Sequence, residues 1–344
     1  MAFTRSVFEL TADAAEKVKQ LKGPIFIFGA GGFVGLNLMH SLLLYRDDVY
    51  GISQDPKNNW RFSSTNTPAS KLLSCDITQP EELRELLREH KPQTIFNLAA
   101  YGAYSKQKEY RKIYKTNFIA TVDMLEALRE NGFSAFIHAG SSSEYGLNSA
   151  GPDESAELIP NSHYAVSKTA VHSAIKYFGK IEQLPVLNLR LYSAYGPWEE
   201  PDRLMPVLVA HARHQKLPPL VNPSISRDFI YVTDISSAFI YAAAGLKPEL
   251  YGEVFNIGTG IKTTIGDISQ LASQLFDVKS KPAFGEMPDR KWDVVDWYAN
   301  IESAKQKLGW APNIGLTEGL QKVAAWQELV GFDTAYWNWT SVNN

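Results

Sequence analysis

The sequence predicts an α/β protein: a doubly wound parallel sheet followed by a smaller, mixed α/β lobe. Three observations carry that expectation. An apolar strand runs through a glycine-rich turn straight into an apolar helix over residues 24–39. From there to about residue 190, short apolar runs alternate with amphipathic stretches, as in βαβ units whose sheet is covered on both faces. After Leu191 the alternation loosens, and Pro197, Pro201, Pro206, Pro218, Pro219 and Pro223 punctuate a mixed region.

Taken in order, an N-terminal extension (1–22) holds a short polar helix capped by Thr11 and reaching Lys22. Ile25 to Phe28 reads as the first strand and Val49 to Ser53 as the second; Leu72 to Cys75 is a third apolar run. Thr78 and Glu81 have capping-box spacing for a helix through His90. Thr94 to Ala100 is a fourth strand, Asn117 to Arg129 an amphipathic helix, and Ala135 to Ala139 a fifth strand that runs into Gly140-Ser141-Ser142-Ser143-Glu144-Tyr145-Gly146. These units define a dinucleotide-binding region over 23–190, with strand-like returns near 227–260 at Phe229 to Val232 and Val254 to Ile257. A substrate-binding lobe interleaves over 191–330, and a tail bearing Trp337 and Trp339 occupies 331–344.

Gly29, Gly32 and Gly35 stand three and three apart between the first strand and its helix. Such spacing lets the backbone turn tightly, approach a pyrophosphate and pack helix on strand. The phosphates then meet free N–H groups at the helix N-terminus, where the dipole favours anions. Gly29 and Gly31 also begin a GxGxxG pattern, but Val34 stands at its last position. This is the first unit of a Rossmann-type sheet, and the four glycines within residues 24–44 make that a better reading than a membrane span. The second strand ends at Ser53, followed by Gln54 and Asp55. Without a carboxylate at the strand end a 2′-phosphate is not repelled, and Arg61 is near enough in sequence to contact one. Asp55 is equally placed to reach a ribose, so NAD or NADP stays open here.

The 344 residues are 44% apolar and 21% charged, an ordinary soluble balance with room for a sizeable core. A formal charge of −3, without a basic run, argues against nucleic acid as a partner. The lone Cys75 cannot pair within the chain, and no apolar signal core opens it, so the expected setting is reducing and cytoplasmic. Asn338-Trp339-Thr340 matches a glycosylation acceptor, read as coincidence in that setting. His211 and His214 lack a third ligand, so no metal is assigned, and His138, His163 and His172 read as core or surface histidines.

Tyr164 and Lys168 lie four apart on a helical stretch and share a face. An ammonium beside a phenol favours phenolate and draws the Tyr pKa toward neutrality. Such a Tyr takes a proton from an alcohol while hydride leaves the carbon, or donates it in reverse. Ser141, at the end of the fifth strand, would hydrogen-bond the reacting oxygen. A solvent-exposed Tyr–Lys pair and a polar serine turn are the bland readings of each motif alone; their order after the glycine turn favours chemistry.

With these motifs in that order, the chain resembles an extended short-chain dehydrogenase/reductase of the nucleotide-sugar epimerase/dehydratase group. GAGGFVG (Gly29–Gly35, with Phe33 and Val34) resembles that family's cofactor turn, and Cys75-Asp76-Ile77 its adenine-contacting segment. Asn97-Leu98-Ala99-Ala100, Asn117, Ser141 and YAVSK follow in the family's order, as do LRLYSAYGP, RDFIYVTD, FNIGTG and LGWAP farther on. The resemblance implies that Lys168 also holds the nicotinamide ribose and that Arg227 and Arg290 grip the substrate diphosphate, a task suited to guanidinium forks. Tyr104, Ser142, Ser143, Ser193 and Arg203 complete the candidate substrate contacts; Ser193 stands where many members carry a substrate-touching Asn, and Arg203 also reads as a surface ion pair.

The implied enzyme moves hydride between NAD or NADP and the C4 of a nucleoside-diphosphate sugar, in carbohydrate biosynthesis, as an epimerase or a 4-keto-sugar reductase. Glu144 supplies the alternative. Counting back four from Tyr145 sets Ser141 as the catalytic hydroxyl, whereas deleting one residue would match the dehydratase pattern with Glu144 as base; the ungapped register is preferred. A non-catalytic cofactor sensor or scaffold is the reading of another class. The resemblance further implies a homodimer through the helices bearing Asn117 and Tyr164.

Overall fold

The computed structural model describes residues 6–104, 107–285 and 294–331. In chain order, α1 (Ala12–Val18) leads to β1 (Ile25–Phe28), α2 (Phe33–Leu43) and β2 (Val49–Ser53). The short α3 (Trp60–Ser64) precedes β3 (Leu72–Ser74), α4 (Pro80–His90) and β4 (Thr94–Asn97). Next, α5 (Tyr110–Tyr114) passes through a π-helical turn (Lys115–Ile119) into α6 (Ala120–Asn131). Then come β5 (Ala135–Ser141), α7 (His163–Lys180), β6 (Val186–Leu191) and β7 (Ser193–Tyr195). Farther on lie α8 (Leu204–Arg213), β8 (Ser226–Arg227), β9 (Phe229–Tyr231), α9 (Val232–Ala244) and β10 (Val254–Ile257). The last are β11 (Thr263–Thr264), α10 (Ile265–Leu275) and α11 (Leu316–Val330).

Seven parallel strands form the central sheet in the order β10-β6-β5-β4-β1-β2-β3. The doubly wound α/β fold expected from the sequence is the fold observed. Strand β1 explains itself by its period of two. Ile25 and Ile27 face a core holding Leu36 and Met39 of α2 and Phe239 of α9. Phe26 and Phe28 face the opposite core, with Met124 and Leu125 of α6 and Val171 and Ile175 of α7. All four are fully buried, and each such side chain stabilises the fold by about 1.5–3 kcal/mol. The strand order reverses between β1 and β4, which is where a doubly wound sheet opens its ligand crevice.

Several local expectations are corrected. Thr11 does cap the first helix, through Ala14 N, but that helix stops at Val18 rather than Lys22. The capping box at Thr78 does not form: α4 starts at Pro80 with Gln79 as its N-cap, and the Thr78 hydroxyl instead donates to Asp76. Proline at the first helical position removes an N–H that would have lacked a partner, so the box is not needed. The Asn117 helix begins earlier, at Tyr110, and Asn117 itself sits in the π-turn. β4 ends at Asn97 rather than Ala100, because the Asn97 carboxamide accepts Ala99 N and turns the chain out of the ladder. β9 pairs with β7 rather than joining the central sheet, and only β10 returns to it, beside β6. Tyr195, Leu208, Tyr231, Ile268 and Leu320 pack into a separate apolar cluster beyond the sheet. The tail with Trp337 and Trp339, and Arg290, lie outside the described residues.

Candidate active site

The glycine turn has no spare volume. Gly29 has φ +78°, and a Cβ there would stand 2.6 Å from Ala99 N. A Cβ on Gly35 would stand 2.2 Å from Gly29 O, so α2 packs directly on the turn. Gly32 is the N-cap of α2 and supplies no side-chain cap, which leaves the first N–H groups, at Phe33 and Val34, open toward an anion. This cradle fits the diphosphate of a dinucleotide. Around it, Leu98 N donates to Phe28 O, Ala99 N donates to the Asn97 carboxamide, and Ala100 is exposed. Ser53 ends β2 beside Gly31. Asp76 accepts Gln54 Nε2 at 3.2 Å and turns the chain through Thr78, while Ile77 is buried.

Ser141 closes β5, and Tyr164 and Lys168 stand on α7, whose N-cap Ser162 accepts Ala165 N. The Ser141 side chain lies close enough to the Tyr164 phenol to perturb its titration. Ser141 Oγ also accepts Ser143 N at 3.1 Å, which turns its remaining capacity toward Tyr164. Lys168 is 2% exposed, and its Nζ donates to Ala139 O at 2.7 Å. The sequence expectation for the phenol is reversed here. Burial pushes Tyr164 up to about 12, the Ser141 side chain opposes that, and Glu144 adds to it. Lys168, 5.8 Å from the ring centre, is committed to a carbonyl, and burial pushes its own ammonium down to about 8.

Glu144 is not poised as a base. Its Oε1 accepts Ser141 N at 2.9 Å, closing a capping box with the Ser141 hydroxyl. Its Oε2 accepts Arg190 Nε at 2.7 Å, and both side chains have no exposed surface. A Cβ on Gly140 would stand 2.6 Å from Glu144 Oε1, so the glycine makes room for the carboxylate. Arg190 lies over the Tyr145 ring and donates to its hydroxyl at 2.7 Å. Ser142 is buried and Ser143 half-buried in this turn. Sequence reasoning missed Arg190 as Glu144's partner. The signal was there: a charge inside the apolar run Leu187 to Leu191 of a central strand demands a counter-ion.

Arg61 also departs from expectation. Rather than facing a 2′-phosphate, it is 4% exposed and bonded to Trp198 O (2.8 Å), Glu200 Oε1 (2.9 Å) and Gly31 O (3.3 Å). Asp55 is held by Asn58 in a local turn. Tyr104 donates to the same Glu200 carboxylate at 3.5 Å. Arg203, exposed, pairs with Glu199 at 3.7 Å; burial holds that carboxyl up at about 8. Ser193 N donates to Asp228 O, and Arg227 lies over Trp297 and donates to Ser226 O. Asn117 is fully buried and braces the roof: it bonds both backbone polar groups of Tyr101 and the Ser167 hydroxyl. The structure thus sets Tyr164 and Lys168 on one face of α7 with Ser141 at the end of β5, while Arg227 lies on β8. His163 turns away to Tyr114, and among the described residues no cluster of His, Cys, Asp or Glu has the makings of a metal site.

A model described as the NAD dependent epimerase/dehydratase family matches residues 25–258. The UDP-glucose 4-epimerase of Mycolicibacterium smegmatis is 28% identical over 309 residues, covering 86% of this chain and 96% of that one. A UDP-glucuronic acid 4-epimerase from Bacillus cereus, solved with UDP-glucuronic acid and NAD, is 25% identical with a TM-score of 0.77, covering 89% of this chain and 99% of that one. A dTDP-glucose 4,6-dehydratase from Bacillus anthracis, solved with NAD, is 27% identical with a TM-score of 0.76, covering 89% and 96%. Matched over most of its length, this chain belongs to the NAD dependent epimerase/dehydratase family.

Proposed function

We propose that this protein is a nucleoside-diphosphate-sugar 4-epimerase that works through NAD, with UDP-sugars the first substrates to assay. The observation that carries the reading is the grouping of Ser141, at the end of β5, with Tyr164 and Lys168 on one face of α7. Bound nicotinamide would supply the hydride acceptor and donor at the sugar C4 and, when oxidised, a positive charge near the phenol. Tyr164 Oη then takes the C4 hydroxyl proton as C4 is oxidised and returns it to the keto oxygen on reduction. Ser141 Oγ orients that oxygen, and Lys168, beneath the same face, is assigned the nicotinamide ribose. Arg227, with Arg290 from outside the described residues, is assigned the diphosphate, and residues 191–330 the substrate lobe.

Elimination of water needs a further acid/base pair, and Glu144 is committed to Arg190 and Ser141 N. That favours epimerisation over 4,6-dehydration. For the cofactor, NAD is favoured over NADP because Arg61 is turned into its own pairings. The nucleotide released on denaturing freshly purified protein tests this directly. We expect NAD, recovered without any having been added; an empty protein that oxidises NADPH with a 4-keto-sugar nucleotide would instead make it a reductase.

The proposed assembly is a homodimer built on α6 and α7, and the proposed setting is the reducing cytoplasm. Val166 and Tyr177 on α7 and Ile181 at its C-cap are exposed and apolar, as are Ile119 and Tyr110. Val166→Asp is expected to convert the dimer to monomer by analytical ultracentrifugation, and an unchanged sedimentation coefficient would remove this face from the interface. Cys75 is buried, with its thiol pushed up to about 12, and among the described residues no helix is long and apolar enough to cross a membrane.

A further inference from the structure

We infer that Arg61 is a positioning residue for the dinucleotide: it fixes the Gly31 peptide of the phosphate turn and couples that turn to the substrate-side segment Pro197–Glu200. The inference rests on the NAD reading above. Gly31 O accepts two donors, Arg61 at 3.3 Å and Asn59 Nδ2 at 3.1 Å, which occupy both lone pairs of the carbonyl. Because the peptide is planar, holding Gly31 O also fixes the Gly32 N–H of the same unit, which donates to Gly29 O at 3.0 Å, so the turn keeps its shape and cannot present the Gly31 oxygen to a phosphate. The fit is close, since a Cβ on Gly31 would stand 2.4 Å from Asn59 Nδ2.

The same guanidinium reaches the far side of the crevice through Trp198 O and Glu200, and its face stacks on Trp60, 4.4 Å from the ring centre. Trp60 in turn packs on Trp198 at 6.3 Å, and Asn37 of α2 donates to Pro197 O at 3.0 Å. Glu200 also accepts the Tyr104 hydroxyl, so a candidate substrate contact and the phosphate turn share one fork. The Arg61 charge is met by Glu200, so its effect on the cofactor is geometric. A lysine keeps the charge but cannot reach three separated acceptors.

The test is calorimetric titration of NAD into cofactor-stripped wild type, Arg61→Lys and Asn59→Ser. Asn59→Ser retains an oxygen to cap α3 and deletes only the donor to Gly31. We expect the NAD Kd to rise about tenfold in Arg61→Lys and severalfold in Asn59→Ser. A lowered Tm with NAD affinity unchanged would mean an ordinary structural contact and overturn the inference. If Arg61→Lys fails to fold, Asn59→Ser decides alone, with an unchanged Kd counting against it. Wild type that binds no NAD overturns the cofactor reading and this inference together, whereas variants that match a binding wild type overturn only the latter.

Discussion

Tyr164→Phe is expected to lower kcat by about 10²–10⁴-fold while NAD binding persists. The substitution deletes one hydroxyl and leaves the ring, the helix face and the Lys168 bond to Ala139 O in place. With burial holding the phenol at about 12, the neutral form dominates at pH 7. In the proposed role, neutral Tyr164 donates the proton to a keto oxygen, and the oxidative half-reaction passes through its phenolate. Both directions therefore need the same oxygen, so neither survives its loss. Steady-state rates with a UDP-sugar, beside NAD titration of the same sample, measure this. A Phe variant that turns over normally would remove Tyr164 from the acid/base role. Wild type inactive on every sugar nucleotide, yet binding NAD, would favour a cofactor sensor.

Glu144→Ala is expected to destabilise the fold by about 3–5 kcal/mol, the cost of leaving a buried guanidinium without its counter-ion. Arg190 already has one buried nitrogen, NH2, without a hydrogen-bond partner, so it has no reserve when the carboxylate goes. The Ser141 N–H loses its acceptor as well. Pairing Glu144→Met with Arg190→Met is expected to recover part of the loss, because an apolar replacement of both charges removes the desolvation penalty. Urea unfolding monitored by circular dichroism checks both. A single variant less than about 1 kcal/mol below wild type would show that the pair is solvated or redundant.

The sheet was legible because its strands obey simple rules. Ile25 to Phe28, Val49 to Ser53 and Val254 to Ile257 have the bounds read from the sequence, since strands covered on both faces are predominantly apolar. Thr78 misled because capping-box spacing is local, whereas Pro80 and the pull of Asp76 on the Thr78 hydroxyl chose the helix start. At the candidate site, the placement of Ser141 at a strand end and of Tyr164 and Lys168 on one helix face was readable from order and spacing. The environment of their protons was not: it depends on Ala139 O, Glu144 and burial, which only tertiary structure brings together. Arg61 shows the same limit. Its nearness to Ser53 in sequence suggested a ligand contact, but the partners that claim it, Trp198 and Glu200, lie more than 130 residues away.

The return of β10 to the sheet bears on how the chain must fold. β6 acquires its outer neighbour only after β7, α8, β8, β9 and α9 have been made, and Phe239 of α9 packs edge-on against Phe96 of β4 at 5.9 Å. The first six strands emerging from a ribosome therefore keep β6 as an open edge until residue 257 is available, and the face that α2 covers is completed only when α9 has been made. Contacts of such sequence separation make folding slow, because loop closure precedes its reward. The N-terminal segment waits on the same event. Tyr241 of α9 bonds to Asp13 of α1, joining residues 228 positions apart. The N-terminal half is thus kinetically dependent on the half that follows it.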